Sequence, residues 1–199
     1  MSAAIGDDLM DLMRIPGLSG HEDRVRRAIA KRLESMGVKS TSDRLGNLVA
    51  HFPGDGPAVM LFAHMDQLGF IVRRIEADGF IRLERLGGVP ERALAAQDVL
   101  ICVGEGRDVP GVITNKSHHA TTASEKYHVL PYAEVHVDAG FGSVGEAEAA
   151  GVRIGSPVVY RPFAGKLGAE LVCGTSVDDR AGCAALLEVA RRLRNRKAG

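Results

Sequence analysis

Two short acidic motifs carry the chemistry this sequence offers. The first is His64-Met65-Asp66, which follows directly on the apolar run 58–63. If extended backbone continues past that run, His64 and Asp66 project to one side and Met65 to the other. An imidazole suits a divalent metal, and a carboxylate beside it would orient the ring and raise its basicity. Alone, His-x-Asp is short and common, and it fits an ordinary solvated loop. The second motif is Asp178-Asp179-Arg180 at a helix entrance. A carboxylate is a hard oxygen ligand for a divalent ion. An aspartate there also caps free N–H groups and meets the favourable end of the helix dipole, and capping alone explains this motif. The two together say more, because the stretch between them reads as a separate β unit. Ligands in α/β sheets gather outside the carboxyl ends of strands.

The elements that must position these residues follow from patterning. The first segment is helical. Ser19 stands three residues before Glu22, a capping-box spacing. Val25, Ile29, Leu33 and Met36 then recur at helical intervals until Gly37 stops the helix. A strand is expected over 47–52 and a turn at Pro53-Gly54-Asp55-Gly56-Pro57. The unbroken apolar run 58–63 suits a strand buried on both faces of a parallel or mixed sheet. From about Gly69 the character changes. Residues 70–75 and 80–86 flank Glu76-Ala77-Asp78-Gly79, a hairpin signal. Residues 99–103 and 111–113 flank a glycine-containing turn, and 132–137 alternate like another strand. This stretch reads as a small all-β barrel or sandwich interrupting an α/β domain. A short helix near 146–150 ends at Gly151. The α/β character returns with Leu171-Val172-Cys173-Gly174 and a helix through Ala185, Leu186, Val189 and Leu193. Arg191, Arg192, Arg194, Arg196 and Lys197 crowd the end of that helix, where cations favour the dipole.

Four motifs occur in order: Ile15-Pro16-Gly17-Leu18-Ser19-Gly20-His21-Glu22, Asp43-Arg44-Leu45-Gly46-Asn47, Ala63-His64-Met65-Asp66-Gln67-Leu68-Gly69-Phe70, and Ser176-Val177-Asp178-Asp179-Arg180-Ala181-Gly182. They resemble the corresponding motifs of M42 metallo-aminopeptidases (the glutamyl aminopeptidase and FrvX-like family), over the N-terminal portion of that family's chain. The fold class so implied is α/β: a mixed-sheet zinc-peptidase-like domain formed by residues 1–68 and 171–199, interrupted by a small barrel-like β domain at 69–170. The resemblance implies two divalent ions, zinc or cobalt. His64 would ligate one metal, Asp66 would hold the imidazole from behind, and Asp178 would bridge both metals. Asp179 would share a cis peptide with Asp178. It also implies a peptide substrate losing its N-terminal residue, and homo-oligomers built through the β domain, from dimers to dodecamers. Where the family commonly has Glu after the first Asp, this chain has Gln67, a difference that points to surface or oligomer contacts.

The family's Glu-Glu pair, a further acidic ligand and a distant His have no match within the 199 residues. Catalytic zinc normally takes three protein ligands plus water, so His64 and Asp178 cannot satisfy two ions. Weak metal binding and little hydrolysis are expected of this chain alone. The rival readings are a non-catalytic oligomerisation or regulatory fragment, a related M20 or M28 peptidase, and an M42 member labelled as an endoglucanase.

Composition narrows the rest. Lys+Arg and Asp+Glu balance at 25 each, which leaves no basic surplus for nucleic acid. No apolar run reaches membrane-spanning length, and the first residues lack the pattern of a signal peptide. Cys102, Cys173 and Cys183 form no C-x-x-C pair and read as reduced, buried thiols of a cytoplasmic protein. His118 and His119 read as a polar loop, and His21, His128 and His136 as ordinary side chains.

Overall fold

A computed structural model describes residues 3–194. The chain divides into two compact units, Met1–Gln67 with Pro162–Gly199, and Leu68–Arg161. In chain order the elements are α1 (Ala3–Met13), α2 (Asp23–Ser35), β1 (Ser40–Ser42), β2 (Leu48–Ala50), β3 (Gly69–Ile75), β4 (Ile81–Leu86) and β5 (Asp98–Ile101). They continue with β6 (Val109–Ile113), β7 (His136–Asp138), α3 (Val144–Ala149), β8 (Pro157–Tyr160), β9 (Ala164–Leu167), β10 (Leu171–Gly174) and α4 (Val177–Leu193).

In the first unit α4 works on two sides. Cys183, Leu187 and Ala190 join Leu12, Val25 and Ile29 in one apolar cluster. Ala184, on another side of the helix, meets Leu9, Met13 and Ala164 in a second. In α2 the helical spacing of Val25, Ile29 and Leu33 gives its buried stripe. The expected capping box does not form. Glu22 instead folds back to accept the Gly20 N–H at 2.7 Å, and the helix starts at Asp23 without a side-chain cap. Gly37 ends the helix region in the left-handed conformation, φ +75°, which glycine adopts without steric cost. Strands β1 and β2 form a hairpin closed by Asp43, whose Oδ1 accepts the N–H groups of Leu45 and Asn47 at 2.9 Å each. The Asn47 side chain donates to Asp43 Oδ2 at 2.7 Å. That bond, together with the backbone donors, outweighs desolvation and holds the Asp43 carboxyl below its ordinary range.

The sequence expectation for 58–63 is overturned. Residues 53–66 belong to no strand. Val59, Met60, Leu61 and Phe62 are 82, 82, 57 and 84% exposed. The pattern is that of a strand buried on both faces, but among the described residues no neighbouring strand supplies a ladder. Nor does a mixed sheet form: the described strands of this unit make two antiparallel pairs, β1–β2 and β9–β10. Residues 162–170, expected in the β domain, fall with the first unit, because β9 is the antiparallel partner of β10. The basic end of α4 is paired with acids rather than free. Arg191 reaches Asp8 at 2.7 Å and also pairs with Glu188, and Arg192 reaches Glu188 at 2.8 Å. Arg196 and Lys197 lie outside the described residues.

The second unit is a closed antiparallel barrel of order β3-β4-β7-β6-β5-β8. Closure comes from β8, which pairs with both β3 and β5. Alternate residues turn inward, so Phe70, Val72, Ile81, Leu83, Val99 and Ile101 pack in one core. The 132–137 expectation holds only at its end, where β7 covers 136–138, because 132–134 form a turn. Helix α3 carries the capping the sequence reading placed elsewhere: Ser143 Oγ accepts the Glu146 N–H at 3.3 Å, and the Glu146 carboxylate accepts the Gly142 N–H at 2.8 Å. Among the described residues, no helix is long and apolar enough to cross a membrane.

The β3–β4 turn depends on Gly79. Its φ is +87°, and a Cβ there would stand 2.3 Å from the Phe141 carbonyl oxygen. Gly140 has a similar φ of +79° but open space around it. Gly140→Ala is therefore expected to cost about 1–2 kcal/mol, the left-handed penalty alone. Gly79→Ala should cost clearly more, because backbone must also move. Denaturant unfolding of the two variants tests the order.

Candidate metal centre

His64 stands where the 53–66 segment returns to the first unit, with Ala63 and Met65 packed on the main apolar cluster. The segment is fixed there by the Gln67 N–H, which donates to the Gly17 carbonyl at 2.8 Å, and by a parallel bridge between Leu18 and Gln67. Cys183 Sγ donates to the His64 carbonyl oxygen at 3.4 Å, tying the residue to α4.

The imidazole lies between two carboxylates. His64 Nδ1 is 3.0 Å from Asp66 Oδ1, and His64 Nε2 is 3.0 Å from Asp178 Oδ1, across 114 residues of sequence. A neutral imidazole has one donor and one acceptor nitrogen, whereas imidazolium donates from both. Two acceptor carboxylates therefore favour the charged ring. Partial burial opposes the charge, but the Asp66 charge, the bonds to Asp178 and Asp66, and the nearby Asp179 outweigh it. The His64 pKa is raised above its ordinary value.

The two adjacent aspartates do different work. Asp178 presents a side chain 93% exposed, with Oδ1 aimed at the imidazole. Asp179 Oδ1 accepts the Gly182 N–H at 2.8 Å, as a helix cap does. A Cβ on Gly182 would lie 2.5 Å from Asp179 Oδ2, so that carboxylate needs glycine three residues on. The Asp178–Asp179 peptide is cis. Asp178 and Asp179 have non-helical dihedrals although they fall within α4, and Ser176 before them is left-handed at φ +57°.

The donor set suits a divalent ion. Zinc bonds of ~2.0–2.2 Å to nitrogen and oxygen, at a tetrahedral angle, separate the donor atoms by about 3.3 Å. The 3.0 Å between His64 Nε2 and Asp178 Oδ1 would need to open only slightly. A carboxylate behind Nδ1, where Asp66 stands, is the usual arrangement around a metal-binding histidine. Among the described residues, no group of three or more His, Cys, Asp or Glu is placed to hold an ion.

Two residues around the centre, Arg180 and Gln67, escaped the sequence reading, while Cys183 is the buried free thiol it expected and Cys102 and Cys173 are only partly buried. Arg180 is fully buried, donates from Nη2 to the Ile15 carbonyl at 3.3 Å, and has no hydrogen-bond acceptor for Nε or Nη1 among the described residues. Burial pushes its pKa down to about 10, with Cys183, Asp66 and Glu22 acting in the other direction. Gln67 is buried inside the first unit, and not on a surface as expected. Burial also pushes the Cys183 thiol up to about 11, so it is a protonated donor and not a nucleophile. The one available signal was the repeated adjacency of these residues to the two acidic motifs. His118 and His119 share a short 3-10 turn, and His136 packs edge-on against Phe80, 4.5 Å between ring centroids.

The profile of the M42 glutamyl aminopeptidase family matches residues 46–199. The chain belongs to that family. It is 34% identical over 185 residues to lysyl aminopeptidase of Pyrococcus furiosus, covering 92% of this chain and 53% of that one. Its fold superposes with TM-score 0.86 on an aminopeptidase from the archaeon Desulfurococcus kamchatkensis, at 31% identity, covering 94% of this chain and 51% of that one. It superposes with TM-score 0.84 on the TET1 peptidase of Pyrococcus horikoshii, at 29% identity, covering 94% and 56%. That protein is described as assembling into a tetrahedron or a large octahedral shell. The chain spans about half the length of the curated relatives it matches.

The charged imidazole has a stability consequence. A raised folded pKa adds stability that is complete below the unfolded value of about 6.5 and is lost as pH rises through the folded pKa. Proton NMR titration of metal-free protein should place the His64 midpoint above the ordinary histidine value of about 6.5. Asp66→Asn and Asp178→Asn should each lower it. A midpoint indifferent to both changes would contradict the geometry.

Proposed function

We propose that this chain supplies the N-terminal part of a two-metal aminopeptidase, with His64 and Asp178 as ligands and Asp66 as the group that orients His64. The observation that carries this reading is the 3.0 Å approach of His64 Nε2 to Asp178 Oδ1, with Asp66 Oδ1 3.0 Å behind the same ring. In this reading the barrel, residues 68–161, is an insertion in the catalytic domain and the surface through which copies assemble. The substrate is a peptide with a free N-terminus, and the metals are zinc or cobalt.

A divalent ion held here would polarise a scissile carbonyl and lower the pKa of bound water. The chain's own contribution is positional. Asp66 selects the tautomer in which Nδ1 carries the proton, leaving Nε2 as donor to a metal. Asp178 offers an exposed carboxylate with room to contact two ions. Asp179 keeps the helix entrance fixed by capping Gly182, so that Asp178 is held at its height above the ring. Neither of the two His–Asp contacts supplies a base for the attacking water, and the 199 residues hold no match for the family's Glu-Glu pair. Turnover is therefore assigned to the assembled site and not to this chain by itself.

Cobalt titration followed by absorbance, and an aminoacyl-p-nitroanilide assay, test the reading. The chain alone should bind cobalt weakly and give no turnover above buffer. His64→Ala and Asp178→Ala should abolish the remaining binding, and Asp66→Asn should weaken it about 10–100-fold, the usual effect of losing a carboxylate behind a ligating histidine. Sustained hydrolysis by the unaided chain, or binding unchanged by His64→Ala, would overturn it.

A further inference from the structure

We propose that Arg180 is a positioning residue of the metal centre: its buried guanidinium holds the Asp66 carboxylate ionised and in place behind the His64 ring. The inference deepens the reading of His64 as a ligand and rests on it for metal affinity, but not for the stability measurement below.

Among the described residues, Arg180 is the one charged side chain that is fully buried. Its Nη2 donates to the Ile15 carbonyl at 3.3 Å, and Nε and Nη1 find no acceptor among those residues. A neutral carbonyl does not balance a full charge taken out of water. Burial lowers the Arg180 pKa only to about 10, so the group keeps its charge at neutral pH. An anion acting across the interior must therefore supply the balance.

Three neighbours bear on the guanidinium: Cys183, Asp66 and Glu22. The Cys183 thiol is pushed up to about 11 and is uncharged at neutral pH. Glu22 already accepts the Gly20 N–H at 2.7 Å, just before α2. Asp66 has Oδ1 on His64 Nδ1 at 3.0 Å, and its Oδ2 has no donor among the described residues. The backbone on both sides of Asp66 is fixed to the loop that lies on Arg180. The Gln67 N–H donates to the Gly17 carbonyl. The place of a Gly17 Cβ is 2.8 Å from Arg180 Nη2 and 3.7 Å from the Met65 carbonyl oxygen. Asp66 makes its close ion pair with the ring and not with Arg180. The guanidinium therefore acts on it through charge, which the buried surroundings screen little.

Two effects of losing Arg180 have opposite signs. By charge alone, removing a cation near the centre favours a divalent ion. By position, a carboxylate released from the guanidinium holds the imidazole less well and weakens the ion. The proposal requires the second effect to win, and to pass through Asp66.

Cobalt titration of the full chain tests this. Arg180→Met should weaken binding about 10-fold, the lower end of what loss of support behind a ligating histidine costs. Arg180→Lys, which keeps the charge, should restore most of it. In the Asp66→Asn background, Arg180→Met should change affinity by less than about two-fold, because nothing remains to be positioned. A role in packing alone would weaken binding equally in both backgrounds. Equal weakening, or binding unchanged or tightened by Arg180→Met, would overturn the proposal. A second measurement leaves Arg180 in place and needs no metal. In EDTA, with His64→Ala removing the ring, Asp66→Asn should still raise the unfolded-to-folded ratio on the order of 10-fold, since the buried cation loses its counter-charge. An unchanged ratio would overturn the proposal even if Arg180→Met failed to fold. Cobalt binding indifferent to His64→Ala would instead sink the metal reading, and the EDTA comparison would still decide whether Arg180 and Asp66 are coupled.

Discussion

The first unit is tied together where the guanidinium of Arg180 lies buried under Gly17. A Cβ at position 17 would stand 2.7 Å from Val25 Cγ2 and 2.8 Å from Arg180 Nη2, so this crossing admits only glycine. Around it, Arg180 donates to the Ile15 carbonyl, Gln67 donates to the Gly17 carbonyl, and Cys183 donates to the His64 carbonyl. Three motifs remote in sequence meet there: the loop after α1, the segment carrying His64, and the start of α4. Burying a charge is costly unless other charges support it. The support comes from Asp66 and Glu22, which oppose the loss of charge that burial favours. The carboxylate that orients His64 therefore also stabilises the cation beneath the crossing. The ring position and the fold of the unit share one electrostatic element.

The Asp-Asp pair shows how neighbouring identical residues come to differ. Asp179 spends its carboxylate on the Gly182 N–H, which removes it from competition for a cation. Asp178 makes no such local bond and projects into solvent toward the imidazole. A helix entrance with one aspartate would have to choose between capping and ligation. Two in succession, followed by glycine at the capped position, permit both. The metal-free centre then holds Asp66 and Asp178 directly on one imidazole, with Asp179 close by. This negative cluster raises the ring's proton affinity for the same reason that it would attract a divalent cation.

How far the sequence could be read depended on whether a pattern is satisfied locally. The hairpin around Gly79, the buried stripe of α2 and the stop at Gly37 all follow from residues within a few positions, and all three form. The capping box at Ser19 fails because Leu18 is drawn into a bridge with Gln67, a contact 49 residues away that no local spacing reveals. The run 58–63 was legible as a two-faced apolar strand, but an apolar pattern states only that cover is needed and says nothing about which residues provide it. The pairing of His64 with Asp178 came into view through ordered motifs and not through spacing. Arg180 and Gln67 were missed because burial, and not residue type, gives them their roles.

The two units differ in whether their hydrogen bonding is complete within themselves. The barrel closes because β8 bonds to β3 on one side and β5 on the other, so it has no free edge, and its core residues lie in one continuous cluster. Closure removes the edges through which sheets recruit other chains. The first unit is complete around α1, α2 and α4 but incomplete along 58–63, where an apolar strand sequence has neither ladder nor cover. The imidazole sits at that boundary. Its own backbone is anchored through Cys183 and Gln67, and Ala63 packs on the apolar cluster, while Val59 to Phe62 are exposed. The ring itself is held by the two carboxylate contacts, to Asp66 and to Asp178.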